Sequence, residues 1–107
     1  MSIDKIQDFP EDWSLLEKIN FLQRKIILNS ILYYHYDQNA LSDHFYDRIC
    51  RQLVQLHEEY GDISDTEYGY VFYDFEGSTG YHLFNRLTID DKDYLMLITE
   101  IYLSSKQ

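Results

Sequence analysis

A chain of 107 residues with 19 acids against nine Lys and Arg, a formal net charge of −10, has room for one domain with one modest core and repels nucleic acid, whose phosphates demand cations. Its composition, 45% hydrophobic and 17% aromatic with 11 tyrosines, excludes a disordered polar chain. Cys50 is the single cysteine, which excludes an internal disulfide and a thiolate metal cluster. No apolar run approaches about 18 residues and residues 1–10 carry no apolar signal core, so a cytoplasmic domain is expected.

Residues 1–9 read as a tail. Pro10 then opens a helical stretch predicted over about 12–37, with Asp8 and Glu11 or Ser14 and Glu17 as alternative capping boxes. Leu15, Ile19, Leu22 and Ile26 recur at i, i+4, i+7 and i+11, one apolar stripe at helical period. Asp37-Gln38-Asn39-Ala40 breaks the pattern. Ser42 or Asp43 caps a second helix, predicted over 43–60, with Phe45, Ile49, Leu53 and Leu56 as its apolar face and Gly61 just past its end. A connection this short makes the two helices antiparallel neighbours. Aromatics then occupy nearly every position from Tyr68 to Phe75, which favours a strand. Residues 76–80 read as a turn and 81–84 as a returning strand. Thr88 caps a last helix with Asp90, Asp91 and Asp93 in its first turn, and its expected apolar face is Tyr94, Leu97, Ile98, Ile101 and Tyr102. The expected fold class is α+β and mainly helical: a long antiparallel helical hairpin (12–62), a short aromatic-rich β-hairpin or extended segment, and a C-terminal helix, in a single domain spanning 1–107.

No phosphate loop, nucleophile elbow or His-Glu-x-x-His pair is present. His35, His44, His57 and His82 lack tight ligand spacing, so no metal is expected, and Cys50 reads as a small core residue. One constellation stands out. Tyr33-Tyr34-His35-Tyr36-Asp37 ends one helix, and Leu41-Ser42-Asp43-His44-Phe45-Tyr46-Asp47 begins the next. In an antiparallel hairpin these ends adjoin, and Asp43 and Asp47 share a helical face. Tyrosine faces with nearby carboxylates suit a flat cationic ring, and the remaining carboxylate oxygens suit sugar hydroxyls. The same residues would also serve simply as caps and as packing for the hairpin.

Tyr33-Tyr34-x-x-Asp37 followed by Leu41-Ser42-Asp43-x-x-Tyr46-Asp47 and Leu53 resembles the N-terminal Ia domain of NAD-dependent DNA ligases, a helical hairpin with a Tyr-Tyr-x-x-Asp-x-Pro-x-Ile-Ser-Asp-x-Glu-Tyr-Asp pattern. The resemblance covers about residues 12–62. It implies a non-catalytic module binding NAD or its nicotinamide mononucleotide half (NMN), with Tyr33 and Tyr34 against the ring and Asp43, Tyr46 and Asp47 completing the pocket. Asn39 stands where the family has Pro, and Phe45 where it has Glu. The ligase's Lys-x-Asp-Gly nucleophile motif is missing, so no enzyme is expected. The chain resembles stand-alone relatives of the Ia domain of the kind often carried by bacteriophages, which implies a bacterial host cytoplasm if it is phage-encoded. An echo, Ile63-Ser64-Asp65-Thr66-Glu67-Tyr68, matches the second half of the pattern. It lacks the Tyr-Tyr helix end before it, and Gly69 replaces the final Asp, so the pocket belongs to the first copy.

The alternative reading is an acidic phage interaction protein, a DNA-mimic-like inhibitor such as an anti-CRISPR or anti-restriction protein, occupying a basic site on a host nucleic-acid enzyme. From Gln52 to Asn85 there is no Lys or Arg, while acids interleave with tyrosines. Glu67, Tyr70, Asp74 and Glu76 are the expected contact residues, with Tyr as anchor and carboxylates for steering. A third idea is a subunit completing a split ligase.

Overall fold

The computed structural model describes residues 9–38, 42–77 and 82–105, the Asp43 side chain excepted. The elements in order are α1 (Leu15–Tyr36), α2 (Asp43–Tyr60), a 3-10 turn (Ile63–Asp65), α3 (Gly69–Phe72), a second 3-10 turn (Phe84–Arg86) and α4 (Ile89–Ser105). No helix among the described residues is long and apolar enough to cross a membrane.

The second of the two expected capping boxes starts α1. The Glu17 N–H donates to Ser14 Oγ at 3.1 Å and the Ser14 N–H to Glu17 Oε1 at 2.8 Å, which satisfies two donors that a helix start leaves open. Pro10 lies outside the helix, in a turn where its carbonyl accepts from the Trp13 N–H. That turn stacks Phe9 and Trp13 beside Phe21. Asp37 ends α1 in the left-handed region, φ 53°, a conformation that Asp tolerates better than most residues. Ser42 caps α2 by accepting from the Phe45 N–H at 3.1 Å, and Gly61 ends it at φ 95°.

The two helices pack along the expected seam. Ile19, Leu22 and Ile26 of α1 and Ile49 and Leu53 of α2 are fully buried, whereas Leu15, Phe45 and Leu56 are partly buried at its edge. Ile27 and Ile31 widen the buried face of α1, and Cys50 is buried beside Ile49, as its place on the apolar face implied.

Two expectations are corrected. The β-hairpin, and with it the α+β class, is absent: among the described residues every regular element is helical. Tyr68, Val71 and Phe72 are the buried side chains of the aromatic stretch, spaced at i, i+3 and i+4 with Gly69 buried beside them, while Tyr70 between them and Tyr73 after them are exposed. A strand would have buried alternate residues. Aromatic richness signals a half-buried surface rather than a backbone preference, and here a single helical turn provides it. Gly69 permits that turn to close on the 3-10 turn before it, because a Cβ there would lie 1.9 Å from the Ile63 carbonyl oxygen. Of the expected turn and return strand, residues 78–81 lie outside the described residues. His82 and Leu83 form a turn that runs into the second 3-10 turn.

The second correction concerns α4. Thr88 caps it as expected, its Oγ1 accepting from the Asp91 N–H at 3.2 Å. Of the expected face only Ile98 packs, half-buried against the core beside Met96; the fully buried residues are Leu95 and Thr99, while Tyr94, Leu97, Ile101 and Tyr102 are exposed. Apolar residues cover so much of this helix that period alone does not select a face. Thr99 is buried because its hydroxyl donates to the Leu95 carbonyl at 2.8 Å and needs no partner from outside the helix.

Candidate nucleotide site at the end of the helical hairpin

Tyr33 and Tyr34 stand on the last turn of α1, 49% and 44% exposed. Their rings meet edge to face with centroids 4.8 Å apart, a favourable arrangement for aromatic quadrupoles. Across the hairpin, Tyr46 lies in the first turn of α2, half-buried. Its hydroxyl sits 2.9 Å from Ser30 Oγ. Ser30 donates to the Ile26 carbonyl, so the tyrosine is the donor in that pair. Burial pushes the Tyr46 phenol above its ordinary range, and Tyr34 adds to the shift, so the two tyrosines are electrostatic neighbours. Asp47 follows on α2 and is exposed. Asp43 is the first residue of α2; its side chain lies outside the described residues. The structure thus brings Tyr33, Tyr34 and Tyr46 together at one end of the hairpin.

Ser30 was not singled out from the sequence, yet it positions Tyr46. The signal was available: Gln23 and Ser30 are the polar residues seven apart on the buried stripe of α1, and a buried polar side chain is there to meet a partner. Cys50, one turn after Tyr46, has its thiol pushed up to about 12 by burial, which makes it a packing group rather than a nucleophile. Among the described residues no group of three or more His, Cys, Asp or Glu side chains could hold a metal ion.

The expected partner-binding acids have internal partners. Glu67 pairs with Arg24 at 2.6 Å, and its N–H donates to Asn20 Oδ1. Asp74 receives both guanidinium nitrogens of Arg86, at 2.6 and 3.0 Å. Tyr70 donates to the Asp91 carboxylate and accepts from the Thr88 N–H. Glu76 is exposed. The run from Gln52 to Asn85 carries no cation of its own, but the fold lays one on it from each side. The echo at residues 63–68 is likewise absorbed: its Tyr68 is 2% exposed and presents no ring to a ligand.

An open helical hairpin with a tyrosine pair at its end defines a class of small helical module. The DNA ligase-like, N-terminal NAD+-binding domain family matches residues 13–68, more than half of the chain, and the chain belongs to that family. No curated protein and no solved structure matches it.

Proposed function

We propose that the hairpin binds the NMN half of NAD, without catalysing its turnover, at Tyr33, Tyr34, Asp43, Tyr46 and Asp47. The observation that carries this reading is the tyrosine pair, held solvent-open at the end of α1 beside a Tyr46 fixed from below by Ser30. Membership of an NAD+-binding domain family supports the same ligand. A cationic nicotinamide ring gains from electron-rich tyrosine faces, and the aspartates of α2 offer acceptors to ribose hydroxyls and a Coulomb attraction to the ring charge. The described site is open, so affinity is expected near the millimolar level, about −4 kcal/mol. Titration with NMN, followed by ligand-observed NMR, should give saturable binding that Tyr34→Ala and Asp47→Asn each weaken. No binding at millimolar ligand, or binding indifferent to both substitutions, rejects the reading. The interaction-protein alternative needs free carboxylates at Glu67 and Asp74, and both are engaged with arginines.

A further inference from the structure

A second concavity lies between α1 and α4, an open cleft of about 410 Å³. Its walls are apolar, from Leu28 and Leu32 on α1 and Ile98 and Tyr102 on α4, and Arg24 and Lys25 stand among them. None of the lining residues is an acid, in a chain whose net charge is −10. None belongs to the proposed nucleotide site. Small-molecule sites span about 300–1,000 Å³ and combine apolar walls with a few placed polar groups.

The two cations differ in state. Arg24 holds Glu67 through Nη2, while its buried Nε–H has no acceptor among the described residues. A buried donor left unmatched is costly, and an incoming acceptor would relieve it. The Lys25 ammonium lies 5.6 Å from the ring centroids of both Phe21 and Phe45, and burial holds its pKa below the usual lysine range. Such a cation gains more from an anion than a fully hydrated one does.

We propose that this cleft binds an amphipathic monoanion, an apolar body between α1 and α4 with its carboxylate at Lys25 and the Arg24 Nε–H. The test compares sodium octanoate with 1-octanol, which carries the same alkyl chain without the charge, by titration of the full chain followed by backbone amide shifts. Octanoate should shift the amides of Lys25, Leu28, Thr99 and Tyr102 and bind at least tenfold tighter than octanol. Lys25→Met, which keeps the side chain's apolar length, should remove that difference. Leu28→Trp or Ile98→Trp, each filling the cleft, should abolish both ligands while helical circular dichroism is retained. Tyr34→Ala should leave octanoate binding unchanged, which separates this site from the nucleotide site. Equal affinity for octanoate and octanol, insensitivity to Lys25→Met, or shifts confined to the exposed face at Tyr94, Leu97 and Ile101 would overturn the proposal.

Discussion

Gln23 is a buried amide whose every polar atom is assigned by its neighbours. The Tyr68 N–H donates to its Oε1 at 2.9 Å, which places Nε2 toward Thr66 and His57. Thr66 Oγ1 already donates to the Ile63 carbonyl, so it accepts from Gln23 Nε2 at 3.0 Å. The second Nε2 hydrogen then faces His57 Nε2 at 3.2 Å, which must be an unprotonated acceptor. The imidazole is therefore neutral with its hydrogen on Nδ1. Burial lowers its pKa from 6.5 to about 4, and protonation would set donor against donor. Between those pH values the unfolded chain binds a proton that the folded one refuses. The stabilisation is therefore complete above 6.5 and lost as pH falls toward 4. Unfolding at pH 7 and pH 5 should differ by roughly 2 kcal/mol, and His57→Gln should flatten that part of the profile. An unchanged pH dependence in the variant would contradict the assignment. Gln23→Ala should cost about 1–3 kcal/mol in denaturant melts, since it leaves the buried Tyr68 N–H without an acceptor.

The long helices illustrate what periodicity can deliver. Leu53 of α2 is fully buried in the core, so Leu53→Ala should cost about 2–5 kcal/mol in a chemical denaturation series. Both α1 and α2 were legible because a stripe at period 3.6 runs between a Ser cap and a break, and local and long-range signals agree. The segment after α2 was misread because its order comes from elsewhere: Tyr68, Val71 and Phe72 turn inward because Gln23, 45 residues away in sequence from Tyr68, receives the backbone there. No local window contains that information. The candidate site divides in the same way. Tyr33, Tyr34, Tyr46 and Asp47 could be read from a spaced motif, whereas Ser30, which holds Tyr46 in place, shows only as a polar residue on the buried stripe of α1. Gly69→Ala isolates the close approach within the misread segment. A Cβ that meets backbone has no flexible neighbour to displace, so this change should destabilise the fold well beyond the propensity gain from replacing glycine in a helix. A variant as stable as the parent would refute the packing of α3 on the 3-10 turn.

At the scale of the whole molecule, charge works against the fold. Nineteen acids face nine Lys and Arg within principal extents of 35 × 33 × 27 Å. At about 0.01 M salt the screening length is about 30 Å, so nearly every carboxylate is felt by every other. At about 0.15 M it is about 8 Å, and repulsion becomes local. Opposing this are ion pairs such as Arg24–Glu67 and Arg86–Asp74. They are close but largely exposed, a setting in which such pairs contribute little and weaken with salt. Contact-range pairs lose less to screening than the summed long-range repulsion does, so the net term has one sign. The thermal midpoint should rise as sodium chloride goes from 0.01 to 0.15 M. The chain should unfold in one transition, because α1 packs on α2, on α4 and on the second 3-10 turn. Glu67→Lys and Asp74→Lys also lower the net negative charge, yet each sets a cation against the arginine that held the acid. At low salt the relief of repulsion and the broken pair therefore oppose each other, and at 0.15 M only the broken pair survives. Each reversal should accordingly be more destabilising at 0.15 M than at 0.01 M, relative to the parent at the same salt. A midpoint that falls with added salt would mean that the ion pairs, not the net charge, dominate the electrostatics of this fold.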